Sequence, residues 1–142
     1  MNEKIYLRNA TLVNWYGFIQ ETLSFSKGMT FITGENKNGK STALDAIRYA
    51  LFGDSSFNRS SGAKQRTLSS YTRCLLDGTL MIYARPADRF PTVTTHIALE
   101  FYDELEERSF VLGTIIETAS DNSHETRRYF MDNTKVEDIE FL

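Results

Sequence analysis

The run Gly34-Glu35-Asn36-Lys37-Asn38-Gly39-Lys40-Ser41 follows a short apolar stretch, Met29-Thr30-Phe31-Ile32-Thr33, and precedes a helical one, Thr42 to Phe52. In the latter, Ala43, Ala46, Ile47, Ala50 and Leu51 recur at the spacing of one helix face. Strand, glycine loop and helix in that order is the context that turns the pattern Gly, four residues, Gly-Lys-Ser into a Walker A P-loop.

Each position has a physical task. Gly34 and Gly39 permit backbone conformations that a side chain would forbid. The loop through Glu35, Asn36, Lys37 and Asn38 can then turn its N–H groups toward phosphate oxygens. A helix beginning near Lys40 adds unpaired N–H groups and the positive end of its dipole. Lys40 is the catalytic candidate, reaching the β- and γ-phosphates, and the Ser41 hydroxyl is the Mg²⁺ ligand. Thr42 is placed for the α-phosphate. The expected ligands of these residues are therefore a nucleoside triphosphate and Mg²⁺.

At 142 residues, with 41% hydrophobic and 25% charged residues, the chain can bury one real core. Its net charge of −3 argues against whole-surface attraction to nucleic acid but leaves room for a local basic patch. One cysteine, Cys74, excludes an internal disulfide framework and fits a reducing compartment. The start, Met1-Asn2-Glu3-Lys4-Ile5-Tyr6, has no apolar signal region, and no apolar run approaches a membrane span, so the expected location is cytoplasmic.

Around the loop, Ile5 to Val13 and Phe18 to Phe25 read as strands joined by the turn Asn14-Trp15-Tyr16-Gly17, and Gly53 reads as a helix stop. Asp54 to Gly78 is broken by serines and reads as a loop with a short helix, Thr67 to Leu76. Leu80 to Ala84, Thr92 to Tyr102, Phe110 to Thr118 and Thr126 to Met131 read as an antiparallel meander. Its turns fall at Arg85-Pro86-Ala87-Asp88, Asp103-Glu104 and Asp121-Asn122-Ser123. Val93, Thr95, Ile97, Leu99 and Phe101 form one alternating face. The fold class expected is α/β: a P-loop lobe with a strand, loop and helix core and an antiparallel β meander.

The segment Leu12-Val13-Asn14-Trp15-Tyr16-Gly17-Phe18, the P-loop, and Leu44-Asp45-Ala46-Ile47 resemble the N-terminal half of an ABC-type ATPase head of the SMC superfamily. Within it the chain looks closest to the MukB-like branch and to the JetC family of SMC-like subunits in Wadjet plasmid-defence systems. Arg66 to Arg73 and Ala98 to Asp103 carry that finer likeness. The resemblance covers nearly the whole chain. It implies a second head that sandwiches ATP, DNA in the full assembly, companion SMC-type subunits and a separate nuclease.

Two parts of a whole head have no match: an apolar strand ending in Asp-Glu, and a Ser-Gly-Gly-type signature. Asp103-Glu104 reads as an exposed turn, since Glu100 interrupts the apolar run before it. Residues 1–142 are therefore expected to be the N-terminal half of a head, completed by the C-terminal half of the same longer coiled-coil protein, with hydrolysis nearly absent from this part alone.

Arg59, Lys64, Arg66 and Arg73 lie in a stretch without acids, and the first three are candidates for nucleic-acid phosphate contacts. Tyr16 stands where many SMC heads carry a basic residue, and packing is its simpler role, as for Trp15. His96 and His124 lack metal-ligand company, and Cys74 reads as a small apolar filler. Glu100, Asp103, Glu104, Glu106 and Glu107 read as a solvated hairpin end, and Asp45 and Arg48 as a polar helix side with room for an ion pair. The competing readings are a DNA-repair ATPase of the RecF or recombination-nuclease kind, a small-molecule P-loop kinase, a GTPase and a degenerate scaffold. No Asn-Lys-x-Asp motif follows the loop to support a GTPase, and the intact Lys40-Ser41 pair speaks against a scaffold.

Overall fold

The computed structural model describes residues 4–27, 37–54, 67–75 and 82–141. Five strands, β1 (Ile5–Trp15), β2 (Phe18–Ser24), β3 (Val93–Asp103), β4 (Arg108–Thr118) and β5 (His124–Met131), form one sheet in the order β2-β1-β3-β4-β5. Every neighbouring pair is antiparallel. Two helices, α1 (Lys37–Phe52) and α2 (Leu68–Arg73), pack against it, and a 3-10 turn, Val136–Asp138, follows the last strand.

The alternating side chains of β3 make one face of the core. Ile97 and Leu99 join Leu7, Ala10, Leu12 and Trp15 of β1, Ile116 of β4, and Ala43, Ala46 and Ile47 of α1. The helix and the strands thus bury the faces that their periods of 3.6 and 2 define. A bulge at Arg8 shifts the β1–β3 register, and the Arg8 carbonyl accepts from Phe25 N at 2.9 Å.

The opposite face is also covered. Ala98 and Val111 pack with Val136, and Tyr129, Ile139 and Phe141 close around them. Gly113 of β4 makes this possible: a Cβ there would lie 1.9 Å from Tyr129 Cζ. Burial of the Tyr129 phenol raises its pKa above the ordinary value.

Several expectations change in detail. β1 runs on through Asn14 and Trp15, because Asn14 Nδ2 donates to the Thr94 carbonyl and Thr95 Oγ1 donates to the Asn14 carbonyl. The turn narrows to Tyr16 and Gly17. Leu80 to Ala84 is not a strand over its described part: residues 82–83 form a helical turn, and Arg85 N donates to the Arg73 carbonyl of α2. That run is continuously apolar rather than alternating, so its sequence carried no period. Leu80 and Met81, like the expected strand Met29 to Thr33, lie outside the described residues. The short helix ends at Arg73, where Cys74 takes a left-handed φ of 54° and its N–H returns to the Ser70 and Tyr71 carbonyls.

Glu100 is corrected too. It is buried, not part of a solvated end: its carboxylate accepts from Val136 N at 2.9 Å and Asn9 Nδ2 at 3.2 Å. The segment that covers it arrives from thirty-six residues downstream, which strand alternation does not reveal. Asp103 and Glu104 are a hairpin turn as expected. Asp103 Oδ1 accepts from Leu105 N and Glu106 N, and Glu104 pairs with Lys27 at 2.9 Å.

Candidate nucleotide site

Helix α1 organises the candidate site. It is 16 residues long and begins at Lys37, three residues before the expected start. Gly39 lies within the helix. The first turns of any α-helix leave backbone N–H groups without intrahelical partners, and no acidic side chain stands in the first turn of α1 to occupy them. Lys40 and Ser41 fall in these opening turns, with Thr42 directly after. The described part of the donor set, N–H groups at a helix start and the Ser41 hydroxyl, fits a phosphate group with its Mg²⁺. Gly34, Glu35 and Asn36 lie outside the described residues, and Lys37, Asn38, Gly39 and Lys40 are described through their backbone. Arg59, Lys64 and Arg66 also lie outside the described residues.

Behind this turn stands an aromatic brace. Trp15 is fully buried at the end of β1, and its Nε1–H donates to the Thr42 carbonyl at 2.9 Å. Its ring stacks on Tyr71 of α2, with centroids 4.7 Å apart. The Tyr71 hydroxyl donates to Asp45 Oδ2 at 2.5 Å, about two turns into α1. Asp45 is 3% exposed rather than on a solvated side, although its expected partner Arg48 does approach at 4.0 Å. Tyr16 is packed against the edge of Tyr71 and holds a left-handed φ of 51°. That strain is met by a 2.7 Å bond from Tyr16 N to the Tyr71 carbonyl. Trp15 and Tyr16 are therefore packing residues, and neither presents a free ring for base stacking.

Helix α2 is itself anchored. Thr67 caps it: its side chain accepts from Ser70 N, and Ser70 Oγ accepts from Thr67 N. Arg73 is 1% exposed and spends its guanidinium on neutral acceptors. Nε donates to Asn122 Oδ1, Nη1 to the Arg85 and Phe90 carbonyls, and Nη2 to the Pro91 and Ala119 carbonyls. Arg85 donates to the Thr72 and Phe18 carbonyls, and burial lowers its pKa from the ordinary value. Thr72 Oγ1 meets Thr118 Oγ1, which meets His124 Nδ1. The His124 imidazole is held below its ordinary pKa, first by burial and then by the charge of Arg73. Cys74, 1% exposed, fills the core as expected.

Asp103-Glu104 lies far from this arrangement. Asp103 pairs with Ile5 at one end of β1, while Trp15 holds Thr42 at the other, ten residues on. At about 3.3 Å per residue that separation is roughly 30 Å along the strand. The carboxylates have no part in the candidate site. Among the described residues no group of three or more His, Cys, Asp or Glu could hold a metal ion.

The sequence reading missed Asp45, Tyr71 and Arg73 as parts of one framework. Asp45 sits three residues after buried Thr42, about 60° from it around the helix, at the rim of the apolar face. That position was a usable signal. The partner Tyr71, on a helix of six residues, gave none.

The sequence profile of the AAA domain family matches residues 10–140. The chain is 44% identical over 43 residues, 30% of its length, to the DNA replication and repair protein RecF of Geobacillus thermodenitrificans, of which this covers 12%. It is equally similar over 43 residues to the DNA double-strand break repair Rad50 ATPase of Thermoplasma acidophilum, of which this covers 5%. The chain thus aligns with a small part of the length of these relatives. No described helix is long and apolar enough to cross a membrane. The chain belongs to the AAA domain family of P-loop ATPases.

Proposed function

We propose that this chain is the Walker A half of an ATP-driven, DNA-engaging head, acting in DNA organisation or plasmid defence of the Wadjet kind. The observation that carries the reading is the intact Gly34–Ser41 run entering a helix whose next residues, Thr42 and Asp45, are locked from behind. Gly34 to Thr42 would bind the triphosphate, Lys40 would be catalytic, and Ser41 would hold Mg²⁺, which supplies charge neutralisation at the phosphates. Arg59, Lys64 and Arg66 would contact DNA phosphates.

The half-site reading has its own support in α1. Ala43, Ala46 and Ile47 face the sheet, yet Leu44 and Phe52 are 42% and 77% exposed, and Leu51, expected on the core face, is 39% exposed. A helix apolar on two sides is built to lie between two layers. In this proposal the second layer comes from the C-terminal half of the same head, and a second head closes over the nucleotide.

Titration calorimetry tests the binding step. Mg-ATP binds the 142-residue chain, and Lys40→Ala weakens it at least about tenfold, as loss of a charge-assisted phosphate contact predicts. Equal binding by both proteins removes the reading. A DNA-repair role like that of RecF is the second reading, favoured by the 44% identity over 43 residues. In the full-length protein the two part on whether circular plasmid or a gapped or broken duplex stimulates ATP turnover more.

A further inference from the structure

We infer that Trp15 and Tyr71 are positioning residues for the phosphate-binding turn, setting the angle of the Ser41 hydroxyl and the helix start from behind. The inference rests on the nucleotide-binding reading and adds to it a device outside the P-loop motif.

Three observations converge. Trp15 Nε1 reaches the carbonyl of Thr42, the residue next to Ser41. Tyr71 reaches Asp45 on the following turn. The two rings stack on each other, so both hydrogen bonds issue from one rigid aromatic unit. Tyr71 cannot tilt independently, because its carbonyl takes the N–H of strained Tyr16 at 2.7 Å and its helix is pinned by Arg73. A helix carbonyl already serves its own ladder, so an extra indole donor at Thr42 is not needed for helix formation. Asp45 is likewise an expensive residue to bury on an apolar helix face, where alanine would pack at lower cost. Both features specify orientation: they fix the rotation and tilt of the first turns of α1 relative to the sheet.

The test uses two conservative variants of the 142-residue chain. Trp15→Phe keeps an aromatic ring and removes the donor; Tyr71→Phe removes one oxygen. Calorimetric affinity is measured for ATP with Mg²⁺ and for ATP in EDTA, together with the urea midpoint. The expected result is an affinity for Mg-ATP about threefold to tenfold weaker in each variant, the worth of one hydrogen bond. Metal-free ATP weakens less in Trp15→Phe, because Thr42 adjoins the metal ligand, so the magnesium-dependent gain in affinity shrinks. A role in stability alone moves the urea midpoint and leaves that gain unchanged, which overturns the inference. So does wild-type affinity in both variants while Lys40→Ala fails to bind. If the wild-type chain binds no nucleotide, the nucleotide reading falls and the inference falls with it. Should Trp15→Phe not melt cooperatively, Tyr71→Phe decides on its own.

Discussion

Arg73 shows how a single side chain can hold several segments. Its donors go to five oxygens on Arg85, Phe90, Pro91, Ala119 and Asn122, with no carboxylate partner among the described residues. A guanidinium suits this because its five N–H groups are fixed in a planar fork, whereas an ammonium presents three donors at one point. Arg73→Lys keeps the charge but leaves buried carbonyls unsatisfied, so we expect a loss of about 2–4 kcal/mol in urea-measured stability. A midpoint within experimental error of wild type would contradict the assignment. Read from sequence, Arg73 was one more charge in a basic stretch. Its burial depends on acceptors up to forty-nine residues away, and local pattern does not carry such information. Glu100 was misread for the same reason. Trp15 was legible as a packing residue, but its hydrogen bond to Thr42 was not.

At the scale of elements, the meander was largely legible. Strict alternation from Val93 to Phe101 and turn residues at 103–104 and 121–123 placed β3, β4 and β5 within two residues of their observed ends. The helix after the glycine loop followed from its apolar spacing, and Gly53 ends it with a φ of 68°. Its other end begins at Lys37, three residues before the start read from the sequence. A cation at the negative end of α1 comes from another element: Arg128 of β5 donates at 3.4 Å to the Tyr49 carbonyl, which also accepts from Gly53 N at 2.8 Å, and sits 6.0 Å from the Tyr49 ring. The outer face of the sheet depends on Gly113, whose missing Cβ makes room for the Tyr129 ring. Gly113→Ala should cost about 1–3 kcal/mol through the displaced ring. Thermal melts of a double-mutant cycle with Tyr129→Ala check this: the cost disappears when the ring is already gone. Equal costs in both backgrounds would place the strain elsewhere.

At the scale of the whole molecule, the described residues form one antiparallel sheet that carries a helix, α1, apolar toward the strands and apolar away from them. The helix after the glycine run and the P-loop ATPase fold class were legible because they are local in sequence and fixed by strong chemistry. The brace behind the loop was not, because it joins β1, α1 and α2 across twenty-six and twenty-seven residues. The proposed account is that of half a catalytic site: phosphate-binding residues present, with the water-activating carboxylate supplied by another part of the head. Asp103 and Glu104, at the far end of β1, do not substitute for it. Steady-state ATP turnover by the purified 142-residue chain, at saturating Mg-ATP and compared with Lys40→Ala, tests this most directly. The account predicts nucleotide binding with turnover indistinguishable between the two proteins. Turnover that Lys40→Ala abolishes would contradict it, because the chain would then contain a complete site.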